Sequence, residues 1–359
     1  MAKKKTVRSL YRRSVEGNFP EEFQAGNTKF RLRKNLRYGR NPGQTAAFYE
    51  ELSSSGPGIG SMEILQENPN KRLSFINLED ADNGLNIVRR LKRLSPQDKF
   101  CAVIKHVNPC GVARGNTVFE AYKKAWDADS LSAFGSIDAF SDAVDRETAE
   151  TIVQRFVEGV IAPDFSPDAL DVLKRKKDVR VMKVGPMELP LIDDELEYRR
   201  VARGLLVQRR FSSKILGREN LELVSRRAPT DDEVQAALFL WNINVFVRSN
   251  AVVLGLKDRT VGIGTGQMSR IDATKLAVQY AREKSTGPEG CVMASDAFFP
   301  DPDSVEYAGK NGITAIVYPL GSLRDQEVIG VANRYNISML VTKPYPSQKD
   351  VVERAFSHM

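Results

Sequence analysis

Short apolar runs of strand length alternate with segments of helical periodicity along most of this chain. In the first half we predict strands at residues 73–77, 100–104, 134–140 and 160–163, and helices at residues 80–94, 118–128 and 146–156. A strand, helix, strand order implies a mostly parallel sheet with helices on both faces. The chain is therefore predicted to be an α/β protein.

The second half of the chain repeats this order. Its predicted helices lie at residues 231–242 and 272–283, and its predicted strands at residues 251–256, 260–263, 291–296, 315–318 and 338–341. We therefore expect two similar units, each a mixed, mostly parallel sheet flanked by helices. The charge-rich stretch 164–230 is expected to connect them.

The length of 359 residues exceeds one average domain and supports two. We predict a basic N-terminal arm at residues 1–35, a first subdomain at 36–200 and a second at 201–359. Much of the net charge of +7 lies in the arm, which has neither zinc-ligand spacing nor an RNA-binding aromatic signature. Such arms are commonly solvated tails or oligomer contacts, so no nucleic-acid partner is predicted.

Composition argues against several other classes of protein. No apolar run approaches the roughly 18 residues of a membrane helix, and the basic start of the chain lacks the apolar stretch of a secretory signal. The three cysteines have no C-x-x-C spacing, which argues against a disulfide framework and a zinc site. We expect a cytoplasmic enzyme, with no membrane partner and no metal ion.

The dipeptide Lys105-His106 is the strongest candidate for catalysis in the sequence. It ends an apolar strand and precedes the stretch 108–111, Asn-Pro-Cys-Gly, which is expected to stop the strand and begin a turn. An imidazole and a lysine cation together can move a proton and stabilise negative charge. A solvated loop is the ordinary alternative, but the chain has only two histidines and one of them is here.

Three further stretches carry possible chemistry, and each has a structural alternative. The glycines within residues 262–267 suit an anionic or planar ligand but lack the dinucleotide spacing, so a structural turn is equally open. Residues 295–303 offer two aromatic rings and three acids, which suit a flat heterocycle or a capped helix start. The turn at residues 36–42 suits a phosphate ester or lies at the surface.

In this order the motifs resemble the transformylase half of the bifunctional AICAR transformylase/IMP cyclohydrolase family of purine biosynthesis. The resemblance runs from about Phe19 onward. The motifs that carry it are L-R-Y-G-x-N-P at 36–42, I-N-L at 76–78, K-H-x-N-P-C-G at 105–111, A-F-G at 133–135, I-A-P at 161–163, S-N at 249–250, G-I-G-x-G-Q-M-S-R at 262–270 and S-D-A-F-F-P at 295–300. The cyclohydrolase domain has no counterpart here. The resemblance therefore implies a stand-alone transformylase, with cyclohydrolase activity left to a separate protein.

The resemblance also implies two cytidine-deaminase-like α/β subdomains, a homodimer with active sites at the subunit interface, and formyl transfer from 10-formyltetrahydrofolate to the 5-amino group of AICAR. It assigns proton transfer to His106 and either stabilisation of the tetrahedral intermediate or protonation of the leaving folate nitrogen to Lys105. It assigns orientation of the formyl group and the carboxamide to Asn250. No metal is implied. It assigns AICAR binding to Arg37, Tyr38, Asn77, Glu158, Arg354, Phe356 and His358, and folate binding to Gly135, Arg270, Ile271, Phe298, Asp303 and Ser322.

Departures from the family pattern leave alternatives open. Gly43 stands where the family often has histidine, and Val245 where it commonly has lysine. The C-terminal R-x-F-x-H at 354–358 follows an insertion, so its return to the nucleotide is an open expectation. The alternatives are a formyltransferase for another phosphorylated aminoimidazole and a catalytically weak homologue that binds purine intermediates. The sequence does not fix the formyl donor, since a formate-dependent scheme requires an ATP site that no motif reveals.

Overall fold

The computed structural model describes residues 17–53, 56–187, 196–209 and 217–342, together with the backbone of 345–346 and 352–353. Within these residues the chain forms two six-stranded sheets, one three-stranded sheet and two two-stranded ribbons. None of the helices in these ranges is long and apolar enough to cross a membrane.

A small antiparallel sheet precedes the first large one. Its strands are β1 (Glu22–Ala25), β2 (Thr28–Asn35) and β3 (Ala47–Glu51). Residues 22–35 of the predicted basic arm thus lie mostly in strands, and the Phe23 ring stacks on the Phe30 ring with centroids 5.1 Å apart. The predicted subdomain boundaries stay predictions.

The first large sheet has the order β4-β9-β8-β7-β5-β6. Its strands are β4 (Glu63–Gln66), β5 (Lys99–Lys105), β6 (Asn108–Gly115), β7 (Ser136–Phe140), β8 (Val157–Ala162) and β9 (Arg180–Lys183). Its helices are α1 (Phe75–Leu94), α2 (Val118–Asp127), α3 (Arg146–Gln154) and α4 (Pro167–Leu173). Strands β6, β7, β8 and β9 point in one direction, and β4 and β5 point in the other.

A two-stranded ribbon lies between the two large sheets in the sequence. It consists of β10 (Leu196–Val201) and β11 (Gly204–Arg209), and all twelve residues of its strands are exposed.

The second large sheet repeats the order of the first as β12-β17-β16-β15-β13-β14. Its strands are β12 (Leu221–Leu223), β13 (Val252–Gly255), β14 (Thr260–Gly264), β15 (Val292–Ser295), β16 (Ala315–Tyr318) and β17 (Ser338–Thr342). Its helices are α5 (Asp231–Asn244), α6 (Arg270–Lys284), α7 (Asp303–Lys310) and α8 (Asp325–Arg334). Two short strands follow, β18 (Tyr345–Pro346) and β19 (Val352–Glu353), and 3₁₀ turns lie at Pro69–Lys71 and Arg218–Asn220.

The prediction of two mixed, mostly parallel sheets flanked by helices is confirmed, and two local predictions are wrong. Residues 73–77 are not a strand, because Ser74 caps α1: its Oγ accepts a hydrogen bond from the Asn77 N–H, and the Asn77 side chain accepts one from the Ser74 N–H. The stretch 164–230 is not only a connection, since α4 and β9 within it complete the first sheet.

Three apolar clusters form the core of the described residues. Helices α1 and α5 lie between the sheets in a shared core that includes Leu85, Ile104, Leu240 and Val253. The outer helices α2, α3 and α4 cover the first sheet, and α6, α7 and α8 cover the second. Burying both faces of each sheet explains why its central strands are apolar throughout.

The two sheets meet edge to edge at β6 and β14. The backbone N–H of Val112 donates to Thr260 Oγ1 at 3.0 Å, and the N–H of Arg114 donates to the Asp258 carbonyl at 2.8 Å. Ala113 and Arg259 form an antiparallel bridge there. The end of β6 that begins at Asn108 therefore lies next to the carboxyl end of β14.

Glycine allows a helix to pack closely on each of these two strands. A Cβ on Gly111 would lie 2.0 Å from the Ala125 carbonyl oxygen of α2, and a Cβ on Gly262 would lie 2.1 Å from the Ala277 carbonyl oxygen of α6. Gly111 pairs with Val103 of β5, and Gly262 pairs with Leu254 of β13, so the two glycines occupy equivalent positions in the two halves.

Gly262→Ala is expected to lower the free energy of unfolding by about 1–3 kcal/mol, because α6 must move away from β14. Urea denaturation monitored by circular dichroism measures this change. Gly330→Ala is the matched control: Gly330 lies within α8 with open space around it, so alanine should raise stability by about 0.5–1 kcal/mol. Equal changes for the two variants would contradict the packing argument.

Asp138 is a fully buried carboxyl group in β7. Burial raises its pKa to about 7, although Ser136 Oγ donates a hydrogen bond to it at 2.6 Å. Because the folded-state pKa lies above the ordinary value of 3.8, this group destabilises the fold progressively as pH rises from about 4 to 7.

Asp138→Asn is therefore expected to stabilise the protein at pH 8, by up to about 4 kcal/mol, and to give no advantage near pH 3.5. Urea denaturation across this pH range tests the prediction. The control is Asp171→Asn, at an exposed ion pair with Lys174, which should bring no gain at pH 8. A pH-independent difference for Asp138→Asn would show that the carboxyl group does not titrate in this range.

Candidate active site

The Lys105-His106 pair lies where β5 turns into β6. Lys105 is the last residue of β5, and its Nζ donates to the Phe134 carbonyl at 2.6 Å, next to Gly135. His106 is exposed in a two-residue turn. The predicted turn at residues 108–111 is wrong, because these residues begin β6, the outermost strand of the sheet order, where proline is tolerated.

Asn108 ties this turn to the second half of the chain. Its Nδ2 donates to the His106 carbonyl at 3.1 Å, while its Oδ1 accepts from Thr265 Oγ1 at 2.8 Å and from the Arg248 N–H at 3.3 Å. Lys105, His106, Thr265 and other residues of both halves line a cleft of about 350 Å³ beside it. The cleft therefore belongs to neither half alone.

Asn250 lies two residues beyond Arg248 and is held by hydrogen bonds at both ends of its amide. Its Nδ2 donates to the Gln267 carbonyl at 2.9 Å, and its Oδ1 accepts from Arg270 Nη2 at 2.9 Å. Arg270 Nη1 also donates to the Ala251 carbonyl at 2.9 Å and pairs with Asp296. The side chains of Arg270 and Asp296 are only 4% and 0% exposed, so a buried ion pair orients Asn250.

The other residues expected on the folate side lie near the carboxyl ends of β14, β15 and β16. Ligands of open α/β sheets bind at such ends. Ile271 and Phe298 are half-buried, Asp303 begins α7, and Ser322 Oγ donates to the Pro300 carbonyl at 3.4 Å.

The structure decides between the alternative interpretations of two sequence stretches near these strand ends. A sandwich between two aromatic rings at 298–299 is wrong, because Phe299 is buried against Tyr318 with ring centroids 5.2 Å apart. Gly262 and Gly264 lie in β14 against carbonyl oxygens of α6, so the structural alternative holds for them, while Gly266 adopts a φ of 67° in the turn that follows.

Residues expected on the AICAR side come together at the amino ends of β8 and β9. The Arg37 N–H donates to the Leu73 carbonyl at 2.9 Å, and the Phe75 N–H donates to the Tyr38 carbonyl at 3.0 Å, which places both residues beside the Asn77 cap. Arg37 is 6% exposed, and its Nε has no hydrogen-bond partner among the described residues. Burial lowers the pKa of Arg37, with Arg180 and Glu158 among its charged neighbours.

A basic cleft next to this group was not anticipated from the sequence. It measures about 460 Å³ and is lined by Lys71, Phe156, Glu158, Arg175 and Lys177, among others. The Phe156 ring stacks on the Phe134 ring with centroids 4.4 Å apart, and the Phe134 carbonyl is the one that Lys105 contacts. The basic cleft and the Lys105-His106 turn are thus connected by two aromatic rings.

The C-terminal motif and the two departures from the family pattern remain to be placed. Arg354, Phe356 and His358 lie outside the described residues. Gly43 lies in a turn with a φ of 92° and open space around it, and Val245 is buried at the end of α5. Neither position therefore places a cation or an imidazole at the cleft.

Three polar residues that support the site received no role from the sequence. Asp80 and Asn83 of α1 contact the backbone of Val107, and Asn108 makes the contacts described above. The available signal was a polar stripe, since Asn77, Asp80 and Asn83 recur every three residues along the buried side of α1, among Leu78, Ala81 and Leu85.

Ion pairs lie at the other end of the β6–β14 junction, in the place equivalent to the candidate site. There the strand ends of the first sheet meet the turn between β13 and β14. Lys92 and Lys99 both pair with Asp142, at 2.9 and 2.7 Å, and Lys124 pairs with Asp258 at 2.7 Å.

Comparison with known proteins identifies the family. The family model described as AICARFT/IMPCHase bienzyme matches residues 4–280. The chain belongs to the AICARFT/IMPCHase bienzyme family. The resemblance inferred from the motifs is thereby confirmed.

Members of the AICARFT/IMPCHase family with similar sequences include three bacterial proteins, each named bifunctional purine biosynthesis protein PurH. The chain is 44% identical over 307 residues to that of Sorangium cellulosum (strain So ce56), covering 86% of this chain and 57% of the relative. It is 41% identical to that of Buchnera aphidicola subsp. Schizaphis graminum (strain Sg), with coverages of 93% and 61%. It is also 41% identical to that of Neisseria meningitidis serogroup C / serotype 2a (strain ATCC 700532 / DSM 15464 / FAM18), with coverages of 91% and 59%. The chain spans about three fifths of the length of these relatives.

Asp296→Ala is expected to lower the free energy of unfolding by about 3–5 kcal/mol, because it leaves the Arg270 guanidinium buried without its carboxylate. Urea denaturation measures the loss. Asp301→Ala is the matched control, since Asp301 pairs with Arg324 at the surface and should change stability by less than about 1 kcal/mol. Comparable losses from the two variants would show that the Arg270–Asp296 pair is not a buried ion pair in solution.

Proposed function

We propose that this protein is a formyltransferase of purine biosynthesis that moves a formyl group from 10-formyltetrahydrofolate to the 5-amino group of AICAR. The observation that carries the proposal is the link through Asn108. One side chain bonds to the His106 carbonyl and to the backbone of Arg248, two residues before Asn250. Asn108 therefore connects the turn that carries Lys105 and His106 to the segment that leads to Asn250, and we propose that these three residues act at one cleft.

The proposed chemistry divides among these three side chains. The AICAR amine attacks the formyl carbon, a carbon–nitrogen bond forms, and the bond from that carbon to N10 of the folate breaks. His106 takes the proton that the amine loses, and Lys105 stabilises the oxyanion of the tetrahedral intermediate. As the oxyanion collapses, N10 takes up the proton relayed by His106, so tetrahydrofolate leaves with a neutral N10 amine. Asn250, fixed by Arg270 and Gln267, orients the formyl group so that the weak nucleophile is well placed.

The basic cleft supports a phosphorylated acceptor. Arg37 presents a buried guanidinium whose Nε has no described partner, and Arg175 and Lys177 add exposed cations on the cleft wall. We propose that the nucleotide phosphate lies among these residues, with the heterocycle reaching past Phe134 to Lys105. The folate then lies on the side of Asn250, Phe298 and Ser322.

The exposed ribbon supports the proposal of a homodimer. Leu205, Leu206 and Val207 of β11 are 55%, 57% and 51% exposed, and an isolated two-stranded ribbon is only marginally stable in water. A second copy would cover these side chains.

We also propose that the enzyme works in the cytoplasm.

The deciding experiment is a spectrophotometric assay of tetrahydrofolate release from AICAR and 10-formyltetrahydrofolate. Release is expected only with both substrates, and His106→Ala should lower kcat by about 10²–10⁴-fold because the proton acceptor is lost. Lys105→Met should also lower kcat, while Lys257→Met, in the equivalent turn of the second half, should not. Release with another aminoimidazole ribonucleotide alone would reassign the acceptor, and nucleotide binding without release would favour a binding protein.

Lys177→Ala is expected to raise KM for AICAR by about tenfold with little change in kcat, because a cation is removed from the cleft that is proposed to hold the phosphate. Lys174→Ala is the matched control. Lys174 belongs to the same basic run but pairs with Asp171 and does not line the cleft. An unchanged KM in Lys177→Ala would place the phosphate elsewhere.

A further inference from the structure

The turn that carries His106 has an unfavourable backbone for its residues. His106 and Val107 adopt φ values of 53° and 66°, and they connect the paired residues Lys105 and Asn108. Positive φ at both central residues is typical of a type I′ hairpin turn, which favours Asn-Gly. A β-branched residue at positive φ is a genuine outlier, and such conformations persist only when neighbouring groups hold them. Contacts from outside the hairpin must therefore hold this turn.

Two side chains of α1 supply those contacts. The Val107 N–H donates to Asp80 Oδ1 at 2.6 Å, and the Val107 carbonyl accepts from Asn83 Nδ2 at 2.5 Å. Asp80 and Asn83 are each 4% exposed, one turn apart on the inward side of the helix. The strained residue is thus fixed at both of its peptide groups by a helix that belongs to the core.

The same contacts relate the turn to the second half. Asn83 Nδ2 also lies 3.3 Å from the Phe246 carbonyl, in the segment that leads to Asn250. A change in the turn would therefore move His106 relative to the segment that carries Asn250. Displacements of about 1 Å at reacting groups can cost 10²-fold in rate.

Burial of the ionised Asp80 carboxylate destabilises the fold. Burial raises the pKa of Asp80 to about 6, and the hydrogen bond from the Val107 N–H lowers it again in part. A buried carboxylate that destabilises the fold and accepts a hydrogen bond from the backbone of this turn is more readily explained by the turn than by packing.

We propose that Asp80 is a positioning residue: its carboxylate oxygen, together with the Asn83 amide, holds the strained His106–Val107 backbone so that the imidazole faces the reacting amine. This inference rests on the proposed function for its kinetic consequence. Its structural consequence, a Val107 amide that is protected only while an acceptor occupies position 80, does not.

The test combines kinetics with hydrogen exchange in the full-length protein. Asp80→Ala is expected to lower kcat about 10–100-fold with little change in KM for AICAR, and to speed exchange of the Val107 amide at least tenfold. Asp80→Asn keeps an acceptor oxygen and should retain both kcat and protection. Asp82→Ala is the control, because Asp82 is an exposed carboxylate on the same helix and accepts a hydrogen bond from Asn86 instead of the turn.

A double-mutant cycle distinguishes an effect of the turn geometry on kcat from an effect of the Asp80 charge. Glycine adopts positive φ without strain, so adding Val107→Gly to Asp80→Ala should recover several-fold of the lost kcat. No recovery, together with an Asp80→Asn variant as slow as Asp80→Ala, would mean that the charge acts on His106, and the proposal would be wrong. Unchanged exchange of the Val107 amide in Asp80→Ala would also overturn it. If wild type shows no turnover while the exchange results appear as expected, the proposed function fails and the positioning of the turn stands.

Discussion

The edge-to-edge junction of β6 with β14 is the constraint on which the rest of the molecule depends. Hydrogen bonds from the backbone of Val112 and Arg114 fix one sheet against the other, and α1 and α5 fill the core between them. Because the two strands run antiparallel, the turn at one end of the first sheet must lie at the strand ends of the second. The candidate site follows from this arrangement.

The first half of the chain contributes a turn to the site, and the second half contributes strand ends. Asn108 connects the two through the His106 carbonyl and Thr265. The Arg270–Asp296 pair fixes Asn250 on one side, while the polar stripe of α1 fixes Val107 on the other. Buried polar side chains therefore support Asn250 and the turn that carries His106.

Much of the architecture could be predicted from periodicity, because central strands that are buried on both faces are apolar along their length. Residues 73–77 were mispredicted for a local reason: two side-chain hydrogen bonds at Ser74 start a helix within an apolar run. The turn at His106 could not be predicted, since no local rule favours His-Val at positive φ and the contacts that hold it come from residues more than twenty positions earlier. Apart from the Lys105-His106 pair, the roles of the expected site residues came from the family resemblance. No spacing rule would have brought Asn108 and Thr265 together.

Because of the ion pairs around Asp142, the two equivalent places in the duplicated fold differ in the side chains that they contain. Two equivalent halves joined by an antiparallel edge create two meeting points between a turn and a set of strand ends. At one of them, Lys92 and Lys99 pair with Asp142, and Lys124 pairs with Asp258. The matching turns of the two halves differ in composition: Lys257-Asp258 lies between β13 and β14, where Lys105-His106 lies between β5 and β6. One topological position of the repeat thus carries an imidazole in the first half and an ion-paired carboxylate in the second.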